Sequence, residues 1–232
     1  GNLNLKIKEI CELLNVSEKT VYRWIQQKKI PFYKINHQYR FNKGEINEWI
    51  IRNNLHVTEN ILTMGITGNP VNIRDLIALG GVYYQIQGNT IEEILKHFIP
   101  KMALPQDVNP QKLYDTLIER EKMMPTTIGK GIAFPHPRSP VISDVHQESV
   151  SIVFPERPIQ YQSIDGSVLH TLFVIMSANP KRHLEILSKL TFTCQDEQFI
   201  QMLENRSNQT DLLRFIQSKE EEWTSRMRGQ ID

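Results

Sequence analysis

Cysteine is scarce: Cys11 and Cys194 are the only two in 232 residues, and they have no metal-ligand spacing. Free thiols of this kind are expected in a reducing cytoplasm. Long apolar runs are missing as well. No stretch approaches the roughly 18 residues that a membrane helix needs, and no secretory signal is visible. The first residue is Gly1 rather than Met, which reads as a processed or engineered start. Also absent are an internal repeat, a low-complexity segment, a P-loop and a dinucleotide-binding fingerprint. Seven histidines occur, but none stands in a metal-ligand spacing such as His-Glu-x-x-His. The expectation is a cytoplasmic protein with no membrane insertion, no cofactor and no metal.

What is present fits one small and one medium domain. Apolar residues make up 40% of the chain, enough for buried cores, and charged residues at 23% are ordinary. The net charge of +1 hides an asymmetry. Residues 1–56 carry ten basic against five acidic side chains, a balance of +5, and the remainder carries 17 against 21, a balance of −4. A basic head on a mildly acidic body suits contact with a polyanion, although a solvated surface would look the same.

In the head, Ile7, Ile10, Cys11, Leu13 and Leu14 recur at helical spacing. Asn15-Val16-Ser17 reads as a tight turn, with Ser17 capping a second helix over Glu18–Gln27. That helix puts Val21, Trp24 and Ile25 on one face, which with Phe41 and Trp49 reads as core. Two short helices about such a turn form a helix-turn-helix signature, whose second helix is built to enter a major groove. Residues 30–41 then read as a β-hairpin turning near Asn36-His37. Asn42 and Glu45 stand in capping-box register before a third helix. The outline is a winged helix-turn-helix, mostly α with a hairpin wing. Once the core positions are set aside, Lys19, Thr20, Tyr22 and Arg23 on the second helix remain for phosphates and base edges. Lys34, His37 and Arg40 remain on the wing.

The run Ile7–Trp49 resembles the excisionase or MerR-like DNA-binding family. The resemblance rests on Glu9-Ile10 through Val16-Ser17, on Thr20-Val21-Tyr22-Arg23-Trp24 and on the return Tyr39-Arg40-Phe41. It implies duplex DNA as a partner. Residues 57–71 read as a linker, with Gly65, Gly68 and Pro70 among polar residues and a short helix at Thr58–Thr63.

From residue 72 onward strands interleave with helices, which argues for an α/β layered sandwich around one mixed sheet. Val82–Ile86 reads as a strand. Thr90 and Asn109 cap the next two helices, and Pro110 suits a first helical position. Ser149–Phe154 reads as a strand with one solvated face, and Leu172–Met176 as a central strand. Further helices are expected from Asn179-Pro180, over Asp196–Leu203 and over Asp211–Trp223. Between the Arg120-Glu121-Lys122-Met123 helix end and His136, the sequence reads as a Gly-containing loop and a short apolar strand. Pro135 and Pro137 bracket His136, and each restricts the backbone beside it, a stiff mount for a nucleophile.

Arg120-Glu121-Lys122-Met123, Ile128-Gly129-Lys130-Gly131-Ile132-Ala133-Phe134-Pro135-His136, Ile164-Asp165-Gly166 and the helix opening of His183 together carry a second resemblance. From about residue 72 the chain is similar to the enzyme IIA domain of the bacterial phosphotransferase system, of the mannitol/fructose type and its nitrogen-regulatory relative. The resemblance implies that His136 accepts a phosphoryl group on Nε2 from the phosphocarrier HPr or a relative. It places His183 beside the acceptor, on a helix start that favours an anion, and Arg120 on the phosphoryl oxygens. An enzyme IIB or regulatory protein would be a further partner, and a homo-oligomer is left open. Pro137 stands where the family usually has Gly. Pro125-Thr126-Thr127-Ile128-Gly129 stands for the usual Ser-Thr-Gly-Ile-Gly, which would strain Thr127 if that position needs a positive φ.

These expectations divide the chain into a DNA-binding head (1–56), a linker (57–71) and an enzyme IIA-like domain (72–232). They describe a bacterial transcription regulator controlled by phosphorylation. Two other readings stand beside it: a plain phosphocarrier of a sugar or nitrogen-regulatory system, and a DNA-binding protein with an inactive enzyme IIA-like platform.

Overall fold

The computed structural model describes residues 5–53, 70–162 and 165–229. The chain divides into two compact units, 1–64 and 65–232. Most of the segment expected as a linker, including the helix expected at Thr58–Thr63, lies outside the described residues.

The first unit is helical with one small antiparallel hairpin. Helix α1 (Ile7–Leu14) ends at Asn15, whose left-handed φ of 53° turns the chain so that Val16 N–H reaches the Cys11 carbonyl at 3.1 Å. Ser17 caps α2 (Glu18–Gln26) by accepting the Thr20 N–H at 3.2 Å. Strands β1 (Tyr33–Ile35) and β2 (Gln38–Arg40) pair antiparallel. Asn36 (φ 50°) and His37 (φ 65°) form their two-residue turn, the left-handed pair that matches strand twist. Asn42 caps α3 (Lys43–Arg52) through the Glu45 N–H at 3.1 Å. The Glu45 carboxylate does not close the expected box. It accepts the Tyr33 hydroxyl at 2.7 Å and so ties α3 to the hairpin. Ile10, Val21, Ile25, Phe41, Ile46 and Ile50 are buried. Trp24, expected in that core, is only half-buried, because its large ring lies edge-on across Trp49 at 5.3 Å instead of inside the small helical core.

The second unit is a mixed five-stranded sheet flanked by helices. Its elements are α4 (Ile73–Gly80), β3 (Val82–Ile86), α5 (Ile91–Phe98), α6 (Pro110–Met123), β4 (Thr127–Gly129), β5 (Ile132–Ala133), β6 (Ser149–Pro155), β7 (Thr171–Met176), α7 (Pro180–Thr193), α8 (Glu197–Glu204) and α9 (Gln209–Gly229). The strand order is β3-β6-β7-β5-β4, with β3 and β6 parallel, β5 and β7 parallel, and the other two pairings antiparallel. Side-chain alternation along β7 serves both faces. Leu172, Val174 and Met176 join Leu95, Phe98, Leu113 and Leu117 of α5 and α6 in one core. Phe173 points the other way, to Phe134 and Phe199. Val71 lies two residues before α4. Its N–H donates to Glu185 of α7 at 2.8 Å, and Lys189 of α7 donates to its carbonyl.

Two sequence readings change here. Strand β6 has no solvated face; every residue after Ser149 is buried. It lies between β3 and β7, and α4 packs so closely that a Cβ on Gly80 would meet the Val150 carbonyl oxygen at 2.2 Å. The Ser151 hydroxyl does not meet solvent but donates to the Gly80 carbonyl at 3.0 Å. The supposed loop before the histidine strand also holds an edge strand, β4, paired with β5. Among the described residues no helix is long and apolar enough to cross a membrane.

Candidate functional site

The approach to His136 is built from the sheet outward. Between β4 and β5, Gly129, Lys130 and Gly131 are all left-handed (φ 80°, 58° and 77°). Their turn is clamped from outside: Lys130 N–H donates to Asp165 Oδ2 at 2.7 Å, and Gly131 N–H donates to Ser167 Oγ at 2.9 Å. Asp165 belongs to the Ile164-Asp165-Gly166 motif, of which Ile164 lies outside the described residues. Thr127 does not carry a positive φ. It sits in β4 with its hydroxyl donating to the Ile132 carbonyl at 3.1 Å, so the expected strain does not arise.

Beyond β5 the chain leaves the sheet. Phe134 N–H donates to the Thr126 carbonyl at 3.0 Å, and Ile175 N–H donates to the Pro135 carbonyl at 2.9 Å. His136 is buried, and its Nδ1 lies 2.7 Å from the Phe134 carbonyl oxygen. A carbonyl only accepts, so Nδ1 carries the proton and the lone pair of the neutral ring falls on Nε2. His183 lies in the first turn of α7, with its ring centroid 4.3 Å from that of His136 and the planes inclined by 46°. Asn179 caps this helix: its side chain accepts the Arg182 N–H at 3.0 Å and its carbonyl accepts the His183 N–H at 3.0 Å. Pro180 has no N–H. The helix start therefore offers its dipole and the imidazole more than a row of amide donors.

Arg120 is buried in the last turn of α6, where Nη1 donates to the Met124 carbonyl at 2.5 Å. Glu119 pairs instead with Arg138, at 2.6 Å, just past Pro137. Glu121 is buried and accepts from the Thr126 N–H at 3.2 Å, the Thr126 hydroxyl and the Tyr161 hydroxyl. Burial pushes the Glu121 carboxyl above the usual glutamate range, and those donors oppose the shift. The sequence reading missed this cluster. It also missed the Phe134 carbonyl as Nδ1 acceptor, and Glu148, which holds Arg182 Nε at 2.7 Å and Ala178 N–H at 2.9 Å. Only Glu121, standing inside the Arg-Glu-Lys-Met motif, left a signal that could have been followed.

In the first unit, Lys19, Tyr22, Arg23, Lys34 and His37 are exposed, while Thr20 and Arg40 are half-buried. The Tyr22 ring meets Tyr39 edge-on at 5.9 Å, and Lys34 Nζ lies over Tyr39 at 5.7 Å. Tyr39, not foreseen as a contact residue, thus joins α2 to the hairpin. Thr20 shares a hydroxyl bond with Ser17 at 3.0 Å. Arg40 donates to Gln38 Oε1 at 2.6 Å and to the Tyr39 carbonyl at 3.1 Å. His37 fills a left-handed turn position.

The chain belongs to the phosphoenolpyruvate-dependent sugar phosphotransferase system EIIA 2 family, whose model matches residues 75–219. A helix-turn-helix domain model matches residues 5–54. The nitrogen regulatory protein of Bradyrhizobium diazoefficiens is 24% identical over 133 residues, which cover 56% of this chain and 85% of that protein. The nitrogen regulatory protein of Escherichia coli K12 is 28% identical over 141 residues, covering 60% and 83%. The crystal structure of nitrogen regulatory protein IIA-Ntr from Neisseria meningitidis shares the fold, with a TM-score of 0.55 at 18% identity over 62% of this chain and 98% of that one. The chain thus joins a helix-turn-helix domain, a DNA-binding type, to an EIIA domain, a type concerned with phosphotransferase-system phosphorylation.

Proposed function

We propose that this chain is a cytoplasmic bacterial transcription regulator. Residues 1–56 bind duplex DNA as a winged helix, residues 57–71 connect, and residues 72–232 receive a phosphoryl group on His136. The observation that carries the reading is the His136 Nδ1–H bond to the Phe134 carbonyl, 2.7 Å long, with the His183 ring 4.3 Å away. The donor is a phosphohistidine of HPr or a relative. The Nε2 lone pair forms a bond to phosphorus as the donor's N–P bond breaks. Positive charge grows on the His136 ring and is offset by the Phe134 carbonyl dipole. His183 and Arg120 stabilise the phosphoryl oxygens, since phosphoryl transfer asks a protein mainly for positioning and charge. An enzyme IIB domain or a regulatory protein is the next partner. Intact mass after incubation with phosphorylated HPr tests the acceptor reading directly.

For the head, support comes from the +5 balance and from Tyr22, Arg23 and Lys34 standing exposed on α2 and the hairpin. Arg23→Ala should weaken duplex binding. Loss of a base contact costs about 1–3 kcal/mol and relaxes sequence preference, whereas loss of a phosphate contact weakens all sequences alike. A folded variant binding every duplex as the parent does, measured at one salt concentration, removes Arg23 from the interface. A plain phosphocarrier would show no salt-dependent duplex binding.

Joining the two activities predicts coupling. A phosphoryl group adds about −1.5 to −2 charge near neutral pH. DNA affinity of the phosphorylated chain should differ from that of the unmodified chain by about 5- to 150-fold, and operator DNA should shift the phosphorylation equilibrium by the same factor. Equal affinities, with an unchanged oligomeric state, leave two independent modules.

A further inference from the structure

The Arg-Glu-Lys-Met motif contributes a second residue besides Arg120. We infer that Glu121 is a positioning residue for His136, acting through Thr126 and Phe134 to hold the imidazole in its Nδ1–H tautomer. This rests on the reading of His136 as the acceptor.

The connection is an unbroken series of hydrogen bonds. The Glu121 carboxylate receives both the N–H (3.2 Å) and the hydroxyl of Thr126. The Thr126 carbonyl receives the Phe134 N–H at 3.0 Å. The Phe134 carbonyl receives His136 Nδ1–H at 2.7 Å. The two prolines make this route matter. Of residues 134–137, only Phe134 and His136 have a backbone N–H to anchor the segment, because Pro135 and Pro137 have none. The bond from Phe134 to Thr126 is therefore a main restraint on the peptide that orients the ring. Thr126 itself follows Met124-Pro125, outside the sheet, and Glu121 is what fastens it to α6. The Tyr161 hydroxyl bonds to the same carboxyl group, so three polar groups of Thr126 and Tyr161 converge on Glu121. A glutamine in that place would exchange one of the two carboxyl oxygens for an NH2, which cannot accept from the groups gathered there.

The test uses the full chain, with Glu121→Gln, Thr126→Val and Thr126→Ser. Imidazole nitrogen NMR reads the His136 tautomer in the unphosphorylated protein, and rapid mixing with phosphorylated HPr reads the transfer rate. The parent and Thr126→Ser, which keeps the hydroxyl, should show a single Nδ1–H tautomer. Glu121→Gln and Thr126→Val should show both neutral tautomers and transfer about ten- to a hundredfold more slowly, the scale set by misplacement of about 1 Å. A parent-like tautomer and rate in both variants would overturn the positioning role. If Glu121→Gln fails to fold, Thr126→Val, close to threonine in size, decides alone. If the parent takes no label from any phosphocarrier, the acceptor reading has failed separately, and the tautomer comparison still decides the role of Glu121.

Discussion

His136→Ala is expected to take no phosphoryl label from phosphorylated HPr, while the parent takes one group per chain. The label should be acid-labile and alkali-stable, as an N–P bond requires. The expectation follows from geometry: only a ring whose Nδ1 proton is engaged presents Nε2 as the nucleophile, and His136 is held that way by the Phe134 carbonyl. His183→Ala should remain an acceptor but a slow one. Removing one preorganised donor from a charge-stabilising site typically costs about 3–4 kcal/mol, or roughly a hundred- to a thousandfold in rate. Label persisting in His136→Ala would mean that the acceptor has been misassigned. A parent that stays unlabelled would point to Pro137, and Pro137→Gly is then the rescue to attempt.

Arg182→Met should lower the stability of the second unit by about 3–5 kcal/mol, the cost of leaving a buried charge without its counter-ion. Glu148 has a fully buried side chain, and Arg182 Nε is its ionic partner at 2.7 Å. The same carboxylate accepts the Ala178 N–H, so it fixes the chain on both sides of the Asn179 cap and thereby the helix start that carries His183. For a unit of this size the loss corresponds to a midpoint lower by about 6–20 °C. Glu148→Leu with Arg182→Met should recover part of it, because a well-packed apolar pair often matches a buried ion pair, less about 1–3 kcal/mol for the buried Ala178 N–H left without its acceptor. Calorimetry of the full chain, following the transition that belongs to the second unit, makes the comparison. A single variant melting within a degree of the parent would show that water already reaches the pair.

Local chemistry was legible in the sequence. Ser17, Asn42, Thr90, Asn109 and Asn179 were all read as caps or helix starts, and each accepts the backbone N–H expected of it. Caps are readable because donor and acceptor lie two or three residues apart. The reciprocal half of the Asn42 box was less secure: Glu45 turned to Tyr33. Side-chain hydrogen bonds between residues distant in sequence escaped altogether. Nothing around Ser151 announces that its hydroxyl will meet Gly80, and nothing around Tyr161 announces Glu121. The last helix begins at Gln209 and runs to Gly229, beyond both expected ends, since its outer turns have little apolar periodicity to mark them.

The segment bearing His136 also has a practical address. The exposed turn at Lys130 and the exposed Arg138 bracket a buried stretch, so the only tryptic sites around the imidazole stand at the surface. Cleavage after each releases Gly131–Arg138, an octapeptide in which His136 is the sole histidine. His183 falls in a different fragment, His183–Lys189, again as its only histidine. Digestion at neutral or alkaline pH therefore assigns a phosphoryl group to one ring or the other by peptide mass alone, with no need to fragment a labile N–P bond.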